Sequence, residues 1–212
     1  MEKKAPVFKK NYENYLKEIS KLDLLKIAKI LGLKKDDTSI YVPFFNKIIK
    51  VNKSGMYDEK GKQPLYSECI VVAKYLLMAQ EHVPESKGWV TYKDFKDAAP
   101  FAGAFSNNVE RMIEKRFLNR IDELKKAGQI LGGHVITDMD LSYELIMKFL
   151  VVPRFEILLV FNDQDEEFPA EARILFQDNA DKILDMECIA ISGWLLSDYL
   201  HILSGGKEFT IM

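Results

Sequence analysis

Leu141–Phe176 reads LSYELIMKFLVVPRFEILLVFNDQDEEFPAEARILF, and its residue period differs from that of the chain around it. Leu141 to Val151, Phe155 to Phe161 and Ala172 to Phe176 are apolar, β-branched or aromatic runs of strand size. Val152-Pro153-Arg154 turns the first run into the second, and an acidic connection carries the second into the third. Connections this short suit antiparallel neighbours, since a parallel pair needs a long crossover.

Upstream, Tyr12, Tyr15, Leu16, Ile19, Leu22, Leu25, Ile27 and Leu31 keep helical spacing over Asn11 to Leu31, with Gly32 as a stop. A hairpin is expected from Ser39 to Phe45 and Lys47 to Asn52 with Asn46 near its turn, then a polar loop from Ser54 to Pro64. Tyr66 to His82 reads as a buried helix closed by Pro84. Thr91 caps a short helix with Asp94 at its third position, and Pro100 breaks it. Ser106 then caps a longer helix from Asn107 to Ala127 that ends at Gly128, and Gly132-Gly133-His134 forms a loop. Met186 to Leu203 is the last helix, ended by Gly205-Gly206. Helices before and after a run of strands predict an α+β fold: a mostly antiparallel sheet of about five strands with helices on one or both sides. With no repeat and no Pro/Gly/Ser-rich linker, residues 1–212 are expected to form one domain, of which 1–64 supply a helix and hairpin.

The chain has 212 residues, 48% of them hydrophobic and 29% charged, which excludes collagen-like and wholly disordered classes. Thirty basic and thirty-two acidic side chains give a net charge of -2, which argues against a nucleic-acid-coating protein. No apolar run reaches about 18 residues, and the charged N-terminus has no apolar region behind it, so neither a membrane span nor a secretory signal is expected. Cys69 and Cys188 alone cannot build a four-thiolate cluster within one chain, and they suit the reducing cytoplasm. Both lie among apolar neighbours, as packing residues do. Charge is uneven: residues 1–62 hold fifteen Lys and eight Asp or Glu, whereas 162–187 hold nine acids against Arg173 and Lys182.

The acidic connection carries the most chemistry. Asp163, Asp165, Glu166 and Glu167 stand within five residues at a strand end, followed by Phe168 and Pro169. Such oxygen-rich clusters suit a divalent cation, with Asp163, Asp165 and Glu167 as candidate ligands, or supply a general base. Phe168 and Ile174 stand where a calcium loop needs glycine and glutamate, so an EF-hand is rejected. The plainer alternative is a solvated connection whose carboxylates cap backbone amides.

His134 follows two glycines, where backbone can approach a ligand closely. On the last helix Glu187, Trp194, Asp198 and His201 share one stripe, and Asp198 and His201 are expected to form a solvent-facing pair. Glu187 lies about 16 Å further along the axis. Trp89, Tyr92, Phe95, Phe101 and Phe105 read as core rather than as a pocket for a flat ligand. Arg111, Lys115, Arg116 and Arg120 alternate with Glu110, Glu114, Asp122 and Glu123, which suggests pairing along a helix rather than an anion-binding face. No phosphate loop, G-x-G-x-x-G, G-x-S-x-G or H-E-x-x-H occurs.

The segments Gly88-Trp89-Val90-Thr91-Tyr92-Lys93-Asp94-Phe95, Pro100-Phe101, Phe105, Leu131-Gly132-Gly133, Pro153-Arg154, Asp165-Glu166-Glu167-Phe168-Pro169-Ala170, Ile174-Leu175-Phe176 and Leu184 with Glu187 resemble a family of uncharacterised proteins of anaerobic bacteria and archaea, catalogued as a domain of unknown function. The likeness covers most of residues 65–203, and the Asp165–Ala170 block is its most specific part. Some members are fused to an iron–sulfur domain of the corrinoid-protein type. The resemblance therefore implies a setting of iron–sulfur or corrinoid metabolism, and a protein of that class as a partner. This chain lacks the cysteines to carry the cluster itself.

The expectation is thus a cytoplasmic ligand- or partner-binding accessory protein, acting through Asp163, Asp165, Glu166, Glu167, Phe168 and His134. The rival is a divalent-metal-dependent enzyme acting on a small molecule, with metal ligands Asp163, Asp165 and Glu167 and with His134 moving protons. A third reading is a scaffold that docks to an iron–sulfur or corrinoid protein. The charge separation between 1–62 and 162–187 favours it by steering association.

Overall fold

The computed structural model describes residues 6–207, and the chain folds as α+β with two antiparallel sheets. The first sheet has the order β1 (Lys34–Lys35), β2 (Ile40–Phe44), β3 (Lys47–Asn52), β4 (Gly55–Tyr57). The second runs β5 (Trp89–Thr91), β9 (Glu171–Gln177), β8 (Phe155–Asn162), β7 (Leu145–Val152), β6 (His134–Val135). The strands legible in sequence are the long ones. The others, β1, β4, β5 and β6, have two or three residues each, too few for a period of two to register. β4 accordingly falls inside the expected Ser54–Pro64 loop.

Alternation along β2 and β3 buries Ile40, Val42, Phe44, Ile49 and Val51 on one face of the first sheet. The two-residue turn between them holds Phe45 at a φ of 49°, rare for a bulky residue. Tertiary contacts maintain it: the Phe45 N–H donates to Val151 O at 2.9 Å, and the ring stands edge-on to Tyr199 at 5.3 Å. Beside it, Glu68 is buried and accepts from Lys47 Nζ at 2.5 Å and from the Tyr199 hydroxyl. The hairpin is thereby bolted to helices α3 (Tyr66–Leu77) and α7 (Met186–Leu203).

In the second sheet β8 is covered on both faces. Ile157, Leu159 and Phe161 join the main core, while Leu158 and Val160 form a smaller cluster with Ile146, against which Trp89, Ile136, Met139 and Tyr143 pack. The main core is one cluster running from Tyr12 to Leu200. At its aromatic centre Phe176 has Phe105, Tyr92, Phe95 and Phe155 within 6.3 Å, so Tyr92, Phe95 and Phe105 are core as expected. Phe101 departs from that pattern and is exposed. α7 is buried nearly all round, and Gly193 lets it pass close to Phe105: a Cβ there would stand 2.5 Å from Phe105 Cε2.

Four helical expectations change, one of them the Tyr66–His82 helix, which ends at Leu77 as α3. Asn11–Leu31 divides into α1 (Pro6–Ile19) and α2 (Leu24–Leu31), because Asp23 caps a new start by accepting from Lys26 N at 3.1 Å. Pro100 opens α4 (Ala99–Phe105) rather than breaking a helix, since its missing N–H costs nothing in a first turn. The long helix continues through a π-turn at Ser106–Glu110 into α5 (Arg111–Phe117) but stops there. Asn119 takes a left-handed φ of 57°, and α6 (Ile121–Ile130) restarts beyond it. Among the described residues no helix is long and apolar enough to cross a membrane.

Candidate functional site

β5 pairs only with Leu175–Gln177, so the amides of Ala172 and Ile174 face an uncovered stretch of the β9 edge. Two glutamates close it. Glu110 Oε1 accepts from Ile174 N and Glu114 Oε1 from Ala172 N, each at 3.2 Å. The match is geometric: carboxylates one helical turn apart repeat every 6 Å or so, and alternate strand amides about every 6.7 Å. Glu110 ends the π-turn, a local widening of the kind found at functional sites. Its side chain is buried, and that burial raises its pKa. Hydrogen bonds from Ile174 N and Ser106 and the charge of Arg173 oppose the shift. Arg173 bonds Glu171 at 2.9 Å and lies 3.9 Å from both Glu110 and Glu114.

The acidic connection between β8 and β9 docks on the helix break next to this edge. Asp163 Oδ1 accepts from the amide of the left-handed Asn119 at 2.8 Å and from Gln164 N at 2.9 Å. Gln164 Nε2 returns to Asn119 Oδ1 at 3.3 Å. Glu144 Oε1 accepts from Asp163 N at 3.1 Å. Asp165 Oδ1 accepts from Phe168 N at 2.7 Å and Glu167 N at 2.8 Å, bonds that lower its pKa, and the loop is folded as a turn. Amide capping is therefore part of what Asp163 and Asp165 do. Each bond uses one oxygen. The second oxygens of Asp163, Asp165 and Glu144 accept no hydrogen bond among the described residues.

Between the loop and the helix lies an open cleft of about 720 Å³, within the usual range of small-ligand sites. Glu114, Glu144, Asp163, Asp165 and Glu171 line it together with Arg111, Arg173 and the Phe168–Ala170 segment. Five carboxylates against two guanidinium groups give it a negative field. Phe168, 65% exposed, supplies an apolar wall.

The structure brings Asp163, Asp165 and Phe168 together at the cleft, whereas Glu166 and Glu167 are exposed and do not line it. His134 is elsewhere. It pairs with Lys148 on β7, which pairs with Leu158 on β8, so it sits about 17 Å along the strands from Asp163 and two strands across. Among the described residues no group of three His, Cys, Asp or Glu is disposed to hold a metal ion, the set Asp163, Asp165 and Glu167 included.

The Asp198–His201 stripe of α7 does not face solvent as expected. Asp198 is fully buried and lies 3.4 Å from Arg116 Nη1, because α7 is covered on that side by α5. The His201 pKa is lowered by burial first and then by Arg116. Cys69 and Cys188 are buried, and burial drives the Cys188 thiol pKa well up, as packing residues require. Sequence reasoning missed the cleft roles of Glu144, Glu171 and Arg173 and took Glu110 and Glu114 as helix-surface partners. The i,i+4 spacing of Glu110 and Glu114 was visible, but the free edge of β9 that they serve was not.

The model of a family described as a domain of unknown function, DUF3786, matches residues 23–199. No curated protein and no solved structure matches the chain.

Proposed function

Since the chain belongs to the DUF3786 family, whose description assigns no activity, we propose from its own side chains that it is a binding protein for a small organic cation, held in the cleft between the π-turn and the 163–168 loop. The observation that carries this reading is the convergence of Glu114, Glu144, Asp163, Asp165 and Glu171 on one ligand-sized cleft beside the exposed ring of Phe168. An ammonium or guanidinium group can donate to these carboxylates, and charge-assisted bonds of that kind are the strong ones. Phe168 would cover the apolar stem, and its ring face suits a cation.

A divalent metal is less well served. It would need the carboxylates to swing together, since no three of them stand at ligand spacing among the described residues. His134 belongs to neither arrangement. An accessory role beside an iron–sulfur or corrinoid protein is part of the proposal, and it rests on the resemblance of the Asp165–Ala170 block.

Calorimetric titration with spermidine, and separately with Mg²⁺, tests the reading. Spermidine should bind, weakening as salt rises. Asp163→Asn and Glu144→Gln keep the amide-accepting oxygen and remove the charge, so each should lower affinity several-fold without loss of fold. Binding of Mg²⁺ alone, or spermidine binding indifferent to both variants, would contradict it.

A further inference from the structure

The outer face of the first sheet carries a second recess, of about 600 Å³, lined by Leu33, Tyr41, Pro43, Ile48 and Pro153. Pairing registers fix its layout. Lys34, Tyr41 and Lys50 stand opposite one another across β1, β2 and β3, and Pro43 stands opposite Ile48. The floor is therefore apolar, with Ile48 exposed, and Lys34 and Lys35 form one rim. An apolar groove edged by lysines asks for an apolar knob flanked by acids.

The chain itself presents such a knob. Phe168 is 65% exposed, with Glu166 and Glu167 before it and Pro169 after it. The turn that displays it is pre-formed: Asp165 N donates to Phe168 O at 3.0 Å, and Asp165 Oδ1 accepts from Phe168 N at 2.7 Å. A rigid aromatic anchor loses little conformational entropy on docking. The charge imbalance has the same sense, with Lys in excess over residues 1–62 and acids in excess over 162–187.

We propose that the occupant of the groove is Phe168 of a second copy of this chain, with Glu166 and Glu167 meeting Lys34 and Lys35. Knob and groove are different patches, so the joint is heterologous: it closes into a reciprocal pair or a ring, or it propagates as an open chain. This goes beyond the cation reading: it uses the exposed part of the Phe168 ring, which also walls the cleft, and none of the cleft's carboxylate oxygens.

Sedimentation velocity over a concentration series, at low and high salt, tests it. Wild-type protein should self-associate, and less so at high salt. Phe168→Asp removes the knob and Ile48→Asp the groove, both at exposed positions, so each variant should stay folded and associate at least about tenfold more weakly. Mixing the two variants should restore a one-to-one complex, because one copy keeps an intact groove and the other an intact knob. A wild-type monomer at every concentration, or variants that associate like wild type, or a mixture that stays monomeric would overturn the proposal. Spermidine titration of the same Ile48→Asp sample should be unchanged, so failure here leaves the cleft reading to its own test.

Discussion

Glu110 Oε1 accepts the backbone N–H of Ile174 at 3.2 Å, so a helix side chain does the work that a neighbouring strand would otherwise do at the β9 edge. Burial raises the Glu110 pKa, so the folded chain holds that proton to higher pH than the unfolded chain does. Stability from this group is then greatest below its ordinary value near 4.5, and it falls as pH rises through the raised value. Glu110→Gln keeps the acceptor and removes the titration. Its melting temperature should equal or exceed wild type at pH 7, with the difference shrinking in acid. Melting curves at several pH values check this, and a variant less stable than wild type at pH 7 would contradict it.

Arg116 and Asp198 form a pair in which Asp198 is wholly buried. Removing the guanidinium would take the opposite charge away from a buried carboxylate, a kind of loss that costs up to about 3–5 kcal/mol. Arg116→Ala should therefore shift the urea midpoint strongly downward. Arg116→Ala combined with Asp198→Asn should regain part of the loss, because the buried negative charge that Arg116 balances is gone.

Gly193 sets how closely α7 packs on Phe105. A methyl group there would meet Phe105 Cε2 at 2.5 Å and Cζ at 2.7 Å, too close for a ring enclosed by Tyr92 and Phe176 to yield cheaply. Gly193→Ala should cost about 1–3 kcal/mol despite the better helix propensity of alanine. Thermal denaturation reads it directly, and a stabilised variant would mean that the ring has room to move.

What sequence reveals here follows the length of each signal. β7, β8 and α7 announce themselves through long apolar runs, and the hairpin of β2 and β3 through its β-branched residues. The break at Asn119 gives no such signal. Helical periodicity resumes beyond it, and the reason the chain turns there is Asp163, 44 residues later. The same holds for Asp198, which one helix's stripe assigns to solvent and which the packing of α5 buries. The loop 163–168 was legible as acidic and exposed. Its partner wall, with Glu114 and Arg173, depends on a strand edge left open by the shortness of β5, a tertiary fact.

The most direct test of the cleft is an amide NMR titration of the ¹⁵N-labelled protein with spermidine. Asn119 and Gln164 donate to the oxygen of Asp163 that adjoins the proposed cation site, so their amides should shift first and saturate together with those of Phe168 and Glu171. The same titration of Asp163→Asn should need several-fold more spermidine to reach the same shifts. Shifts scattered over the acidic surface without saturation, or centred away from these residues, would contradict a cation site in this cleft.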